Sequence, residues 1–107
     1  MTSRPQGAPV TGAPEEFEGI PIVDRGGSGH EWLYRLYGEE HLLYVGITRT
    51  GVRRFEGHKR DKPWWDSVRR IEIQRFWTRR DVRLAECDVI AEERPALNVA
   101  EIGRAHV

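Results

Sequence analysis

One cysteine, Cys87, stands in this 107-residue chain, so no internal disulfide can staple it and nothing in it calls for an oxidising compartment. No apolar run approaches the roughly 18 residues that would span a bilayer, and the N-terminus lacks the basic-then-apolar layout of a secretion signal. The expectation is a soluble, cytoplasmic protein with no membrane partner. A lone cysteine with four scattered histidines offers no zinc-ligand spacing. Length leaves room for one domain, and setting aside a loose N-terminal stretch leaves roughly 80 residues, close to the smallest size that supports its own core. Net charge is zero as well, but the charges are segregated. Residues 45 to 84 hold 12 of the 17 Lys and Arg against 5 acids, so this segment is net +7 and the rest net −7. A polyanion would meet the middle of the chain. The plainer reading is that these arginines only solvate helix faces.

Residues 1 to 28 are rich in Pro and Gly, with one acidic cluster (Glu15, Glu16, Glu18) and a short apolar patch from Ile20 to Val23. This composition predicts a largely disordered tail, the patch able at most to add an edge strand, followed by a folded domain over residues 29 to 107. Residues 32 to 37 and 42 to 47 are apolar and aromatic on either side of Gly38-Glu39-Glu40-His41, which reads as a β-hairpin. Residues 68 to 76 alternate apolar and polar side chains as a third strand. Val52, Phe55 and Lys59 have helical spacing between residues 50 and 61, weakened by Gly51 and Gly57. Pro63 starts a short helical turn. Thr78-Arg79-Arg80-Asp81 has the form of a capping box and opens a helix to about residue 92 or 93, stopped by Pro95. The predicted fold class is α/β in the α+β sense, a small three-stranded, mainly antiparallel sheet flanked by helices.

Two features carry chemistry. In the last helix Val82, Ala85, Val89 and Ile90 form the apolar stripe, and Glu86 falls within it. A carboxylate turned toward the sheet is costly unless it meets a cation, a proton or an open cleft. A metal ion is one answer and a structural salt bridge, to Arg54 for example, is another. Arg54 and His58 lie four residues apart on one helix face, a grip suited to phosphate.

Together, Trp32-Leu33-Tyr34, Tyr44-Val45-Gly46, Arg54 with His58, Glu86 and Asn98 resemble the GIY-YIG nucleases over residues 32 to 99. The specificity of the likeness lies in the ordered set. It has two tyrosines ten residues apart, Arg-x-x-x-His after them, then Glu and Asn twelve residues apart across a helix end. Trp32 and Leu33 stand where the family name expects Gly and Ile, and Val45 replaces Ile. The resemblance implies a metal-dependent endonuclease that hydrolyses DNA phosphodiesters, with RNA as an open alternative. By that likeness Glu86 is the metal ligand for Mg2+ or Mn2+, and Tyr34 takes a proton from the attacking water, its phenol made more acidic by cations. Arg54 holds the scissile phosphate, Tyr44 and His58 assist, Gly46 permits a close approach, and Asn98 braces the site. Arg49, Arg53, Lys59 and Arg79 would then contact nucleic acid, and a protein partner would supply specificity. The rival readings are a non-catalytic nucleic-acid-binding adaptor and a small interaction protein with solvating arginines.

Strand periodicity sets a condition on any shared site. A regular two-residue loop at Glu39-Glu40 would pair Tyr34 with Val45 and send Tyr44 to the opposite face. The hairpin must therefore have an odd-length loop or a bulge. Trp64, Trp65 and Trp77 are expected in the core or at its rim rather than as stacking platforms.

Overall fold

The computed structural model describes residues 14–98. The elements in chain order are β1 (Glu16–Phe17), β2 (Ile20–Gly27), β3 (Glu31–Tyr37), β4 (Leu42–Thr48), α1 (Arg53–Asp61), a 3-10 turn (Pro63–Ser67), β5 (Arg70–Phe76) and α2 (Arg79–Glu93). The strands form one mixed sheet in the order β1-β2-β5-β3-β4. The α+β class is as the periodicity predicts, but the sheet has five strands and not three.

The two additional strands come from residues 16 to 27, which composition assigns to the loose tail. Residues 1 to 13 of that tail lie outside the described residues. β2 runs parallel to β5, with Ile22 opposite Ile71 and Asp24 opposite Ile73. Its alternation is too short to stand out in a Pro/Gly-rich stretch, and its partner lies nearly fifty residues ahead, so only the tertiary pairing makes it a strand. Phe17 of β1 closes the arrangement, edge-on to Phe55 and to Trp65 with 5.8 Å between ring centres in each case.

β3 lies between β5 and β4 and is apolar on both faces, because helices cover both. On one face Tyr34, Leu36, Ile71 and Ile73 pack with Phe55 of α1 and with Trp65 and Val68 around the 3-10 turn. On the other, Leu33 and Val45 pack with Val82 and Val89 of α2, flanked by Ala85 and Ile90. The predicted apolar stripe of α2 is thus the face laid on the sheet. Trp77 departs from expectation. It follows β5 directly, is 70% exposed, and belongs to neither core. No helix among the described residues is long and apolar enough to cross a membrane.

α2 begins as the capping motif predicts, with Thr78 Oγ1 accepting the Asp81 N–H at 3.0 Å. It ends at Arg94, which turns left-handed (φ 49°) just before Pro95. Loss of such a cap costs about 1 kcal/mol. Thr78→Ala should lower the urea unfolding midpoint correspondingly and Thr78→Ser should restore it. An unchanged midpoint in the alanine variant would mean that the cap contributes nothing to stability.

Candidate active site

The β3–β4 hairpin carries the register condition. At its tip the Gly38 N–H donates to the His41 carbonyl at 2.8 Å and Tyr37 faces Leu42, the start of a two-residue hairpin. One step on, Leu36 faces Tyr44, so Leu43 is an extra residue in β4. This bulge shifts everything after it by one position, leaving Tyr34 opposite Gly46 and Tyr34 and Tyr44 on one face. A bulge is one of the two outcomes that a shared tyrosine site requires.

Gly46 serves Tyr34 itself. A Cβ there would stand 2.4 Å from the Tyr34 hydroxyl and 3.0 Å from the Tyr44 ring. The close approach expected at this glycine is made by a phenol. Above the tyrosines, α1 contributes Phe55 and His58 inward and leaves Arg54 exposed. His58 Nε2 lies 2.7 Å from the Tyr34 hydroxyl, and Arg54 Nε donates to the same oxygen at 3.4 Å. A guanidinium only donates, so Tyr34 accepts from Arg54 and offers its own proton to His58. Arg54 also hydrogen-bonds Tyr44. Trp64 stacks on Tyr44 (5.4 Å, 30°) and Trp65 lies nearly parallel to His58 (6.4 Å, 15°), so both tryptophans wall the site, as core or rim residues do.

Burial dominates the electrostatics. Tyr34 is fully buried, and desolvation with the help of Tyr44 pushes its phenol well above the ordinary range, against the opposing pull of Arg54. Arg54 lowers the phenol as the resemblance implies for a cation, but one guanidinium does not offset complete removal from water. Burial, then the charges of Arg54 and Lys62, push His58 down from 6.5 to about 4, with Asp61 opposing. The imidazole is neutral at physiological pH and free to accept the Tyr34 proton. Arg54 is held still more firmly in its charged form by the two tyrosines.

Glu86 is partly exposed on α2 and makes no hydrogen bond or ion pair among the described residues. It is not locked against Arg54. Burial raises its carboxyl, and Arg83 and Arg79 pull it back. Its charge is near enough to act on the Tyr34 phenol. Among the described residues no three His, Cys, Asp or Glu side chains cluster for a metal. A single unpaired carboxylate suits a hard cation that keeps most of its waters, so the donor set fits Mg2+ better than a caged transition metal.

Asn98 clamps β4 from its open side. Its Oδ1 accepts the Val45 N–H at 2.6 Å and its Nδ2 donates to the Val45 carbonyl at 2.8 Å. The expected bracing role has this backbone geometry. The four expected nucleic-acid contacts divide. Arg49 and Arg79 both reach Glu31, at 3.1 and 3.4 Å, and Lys59 pairs with Glu18. Arg53 is exposed at the start of α1. Glu31, a buried carboxylate between two arginines, escapes sequence reading because its neighbours Arg49 and Arg79 are distant in the chain.

Comparison with known proteins finds no family model, no curated protein and no solved structure that matches this chain.

Two outcomes test the geometry. Gly46→Ala drives a methyl into the Tyr34 hydroxyl, and overpacking of this kind costs about 1–3 kcal/mol. Chemical denaturation should register that loss, and an alanine variant of wild-type stability would refute the contact. The second concerns pH. The unfolded chain protonates His58 below 6.5 and the folded chain only below about 4, so stability is lost as pH falls between these values. The urea midpoint should fall more steeply across that window in the wild type than in His58→Gln. Parallel curves would show that the imidazole is not held neutral.

Proposed function

We propose that this chain is a metal-dependent endonuclease of the GIY-YIG type, hydrolysing phosphodiester bonds in DNA. The observation that carries the reading is the hydrogen-bonded series Arg54–Tyr34–His58, with Tyr44 on the same sheet face and an unpaired carboxylate, Glu86, within electrostatic reach. These are the five positions on which the sequence resembles the family, drawn from two strands and two helices. A solvating surface or a purely structural core has no need of that combination.

On this reading Glu86 would hold a Mg2+ or Mn2+ ion, which when bound supplies Lewis-acid stabilisation of the charge developing on the phosphate. Arg54 grips the scissile phosphate through charge-assisted hydrogen bonds. In turning toward it, the exposed guanidinium uncovers the Tyr34 oxygen for the attacking water. Tyr34 takes the water's proton while passing its own to His58 Nε2, so no phenolate forms where burial disfavours one. Phosphate beside Arg54 offsets one of the charges that depress His58, which makes the imidazole a better acceptor with substrate bound. Tyr44, only half-buried, donates to a phosphate oxygen, and Asn98 and Gly46 keep β4 in place. DNA enters along the basic residues, and a partner protein supplies sequence or structure specificity.

Full burial of Tyr34 is the observation that favours the alternative, a nucleic-acid-binding adaptor without turnover. Supercoiled plasmid incubated with Mg2+ or Mn2+, and in parallel with chelator, separates the two. The nuclease reading expects metal-dependent nicking that falls by about 10²–10³ in Glu86→Gln, the scale typical of losing one preorganised electrostatic group. Salt-sensitive plasmid binding with no nicking in any metal would leave the adaptor.

A further inference from the structure

Three connections meet at one end of the sheet: the β2–β3 loop, the β4–α1 loop and the residues just after β5. Between them lies a cleft of about 420 Å³ lined by Gly29, His30, Trp32, Arg49, Gly51 and Trp77, a volume within the range of small-ligand sites. We propose that this cleft takes one unpaired nucleobase of a single-stranded nucleic-acid segment, with the attached phosphate on Arg49.

The lining selects that ligand. Trp77 stands 70% exposed with its ring edge-on to His30 (6.4 Å, 87°), a large apolar ring in water with no place in either core. Trp32 lines the same cleft, and an added Cβ at Gly51 would stand 3.6 Å from its indole, in van der Waals contact with the ring. Gly51 has φ +64°, a conformation that resists replacement by a residue with a side chain. Indole, imidazole and guanidinium all offer flat stacking surfaces to a planar ring. Arg49 is oriented from behind, its Nε and Nη2 both 3.1 Å from Glu31 Oε2, which leaves Nη1 for an anion. That outward cation disfavours an ammonium ligand of the kind aromatic cages hold. A planar ring joined to an anion satisfies both halves of the cleft, and a nucleotide is such a molecule.

The cleft also borders the site already described. Trp32 and Tyr34 share a face of β3 two residues apart, roughly 7 Å along the strand. Gly51 is three residues ahead of Arg54. A strand whose phosphate lies on Arg54 therefore presents a neighbouring base to the tryptophans. Bases within a duplex have both faces covered by their neighbours, so the cleft accepts only a base already out of the stack. Resting on the nuclease reading, this deepens it: the substrate carries a single-stranded segment beside the cut, as flaps and branched junctions do.

The test is binding by the full chain in chelator, read by fluorescence anisotropy of a labelled oligothymidylate, an abasic strand of equal length and a blunt duplex. Wild type should prefer the intact single strand to both others. Trp77→Ala should weaken that binding by roughly tenfold, the scale of losing one base–aromatic stack. Trp77→Phe, which keeps a ring at an exposed position, should hold it near wild type. Equal affinity of wild type for abasic and intact strands, an unaltered alanine variant, or an equal fall in both variants would each overturn the proposal. Since no turnover is involved, the expected pattern in a chain that fails to nick plasmid refutes only the nuclease. Nicking with no preference for the intact strand refutes only the cleft.

Discussion

A single extra residue in β4 determines whether this protein has a site at all. Side chains along a strand alternate, so Tyr34 on β3 and Tyr44 on β4 share a face only if the pairing between them is shifted by one from a two-residue hairpin. Leu43 makes that shift. β4 is an edge strand, and the groups of Val45 turned away from β3 would be open to solvent or to a stray partner. Asn98 takes both of them, which secures the strand segment between Tyr44 and Gly46. Gly46 in turn leaves room for the Tyr34 ring to lie across the strand. Bulge, clamp and missing Cβ are one device, and removing any of them displaces the phenol that Arg54 and His58 both contact.

Folding also redistributes the charge that is segregated in the sequence. Acids from the N-terminal part reach the basic middle: Glu18 meets Lys59, Asp24 meets Arg75 at 2.8 Å, and Glu31 sits between Arg49 and Arg79. The +7 segment is therefore no uniform polycation in three dimensions. Its cations near the site are held in position by these carboxylates, a preorganisation that spares side-chain entropy when an anion binds. Arg53 and Arg80 make no ion pair among the described residues and face solvent, while Arg83 acts on the Glu86 carboxyl. Inside, the opposite economy holds. Tyr34 and His58 are both kept neutral by burial and satisfy one another, which suits passing a proton without storing charge.

Much of this architecture is local and so is readable from the residues in order. The hairpin, the α2 cap at Thr78, the apolar stripe of Val82, Ala85, Val89 and Ile90, and the turn at Pro63 each depend on neighbours within a few positions. Alternation at Val68 to Phe76 marks β5, although the strand proper starts at Arg70 and of the two residues before it Arg69 joins β3 by a single bond from its N–H to the Tyr37 carbonyl at 2.7 Å. The condition that the hairpin contain an odd loop or a bulge followed from periodicity alone, but not which of the two. Ile20 and Ile22 gave too short a signal to separate a strand from a tail, because a parallel partner is chosen by the sheet and not by adjacent residues.

By itself, then, the order of amino acids determined the α+β class, the helix boundaries to within a few residues, and a set of polar groups spaced for one face or one helix turn. Propensity, capping and periodicity are short-range and leave their marks there. The five-stranded topology, the burial that drives Tyr34 and His58 toward their neutral forms, the pairing of Glu31 with two arginines and the exposure of Trp77 were decided only in three dimensions. Each depends on which distant segment arrives alongside, and desolvation is a property of that surrounding rather than of any residue.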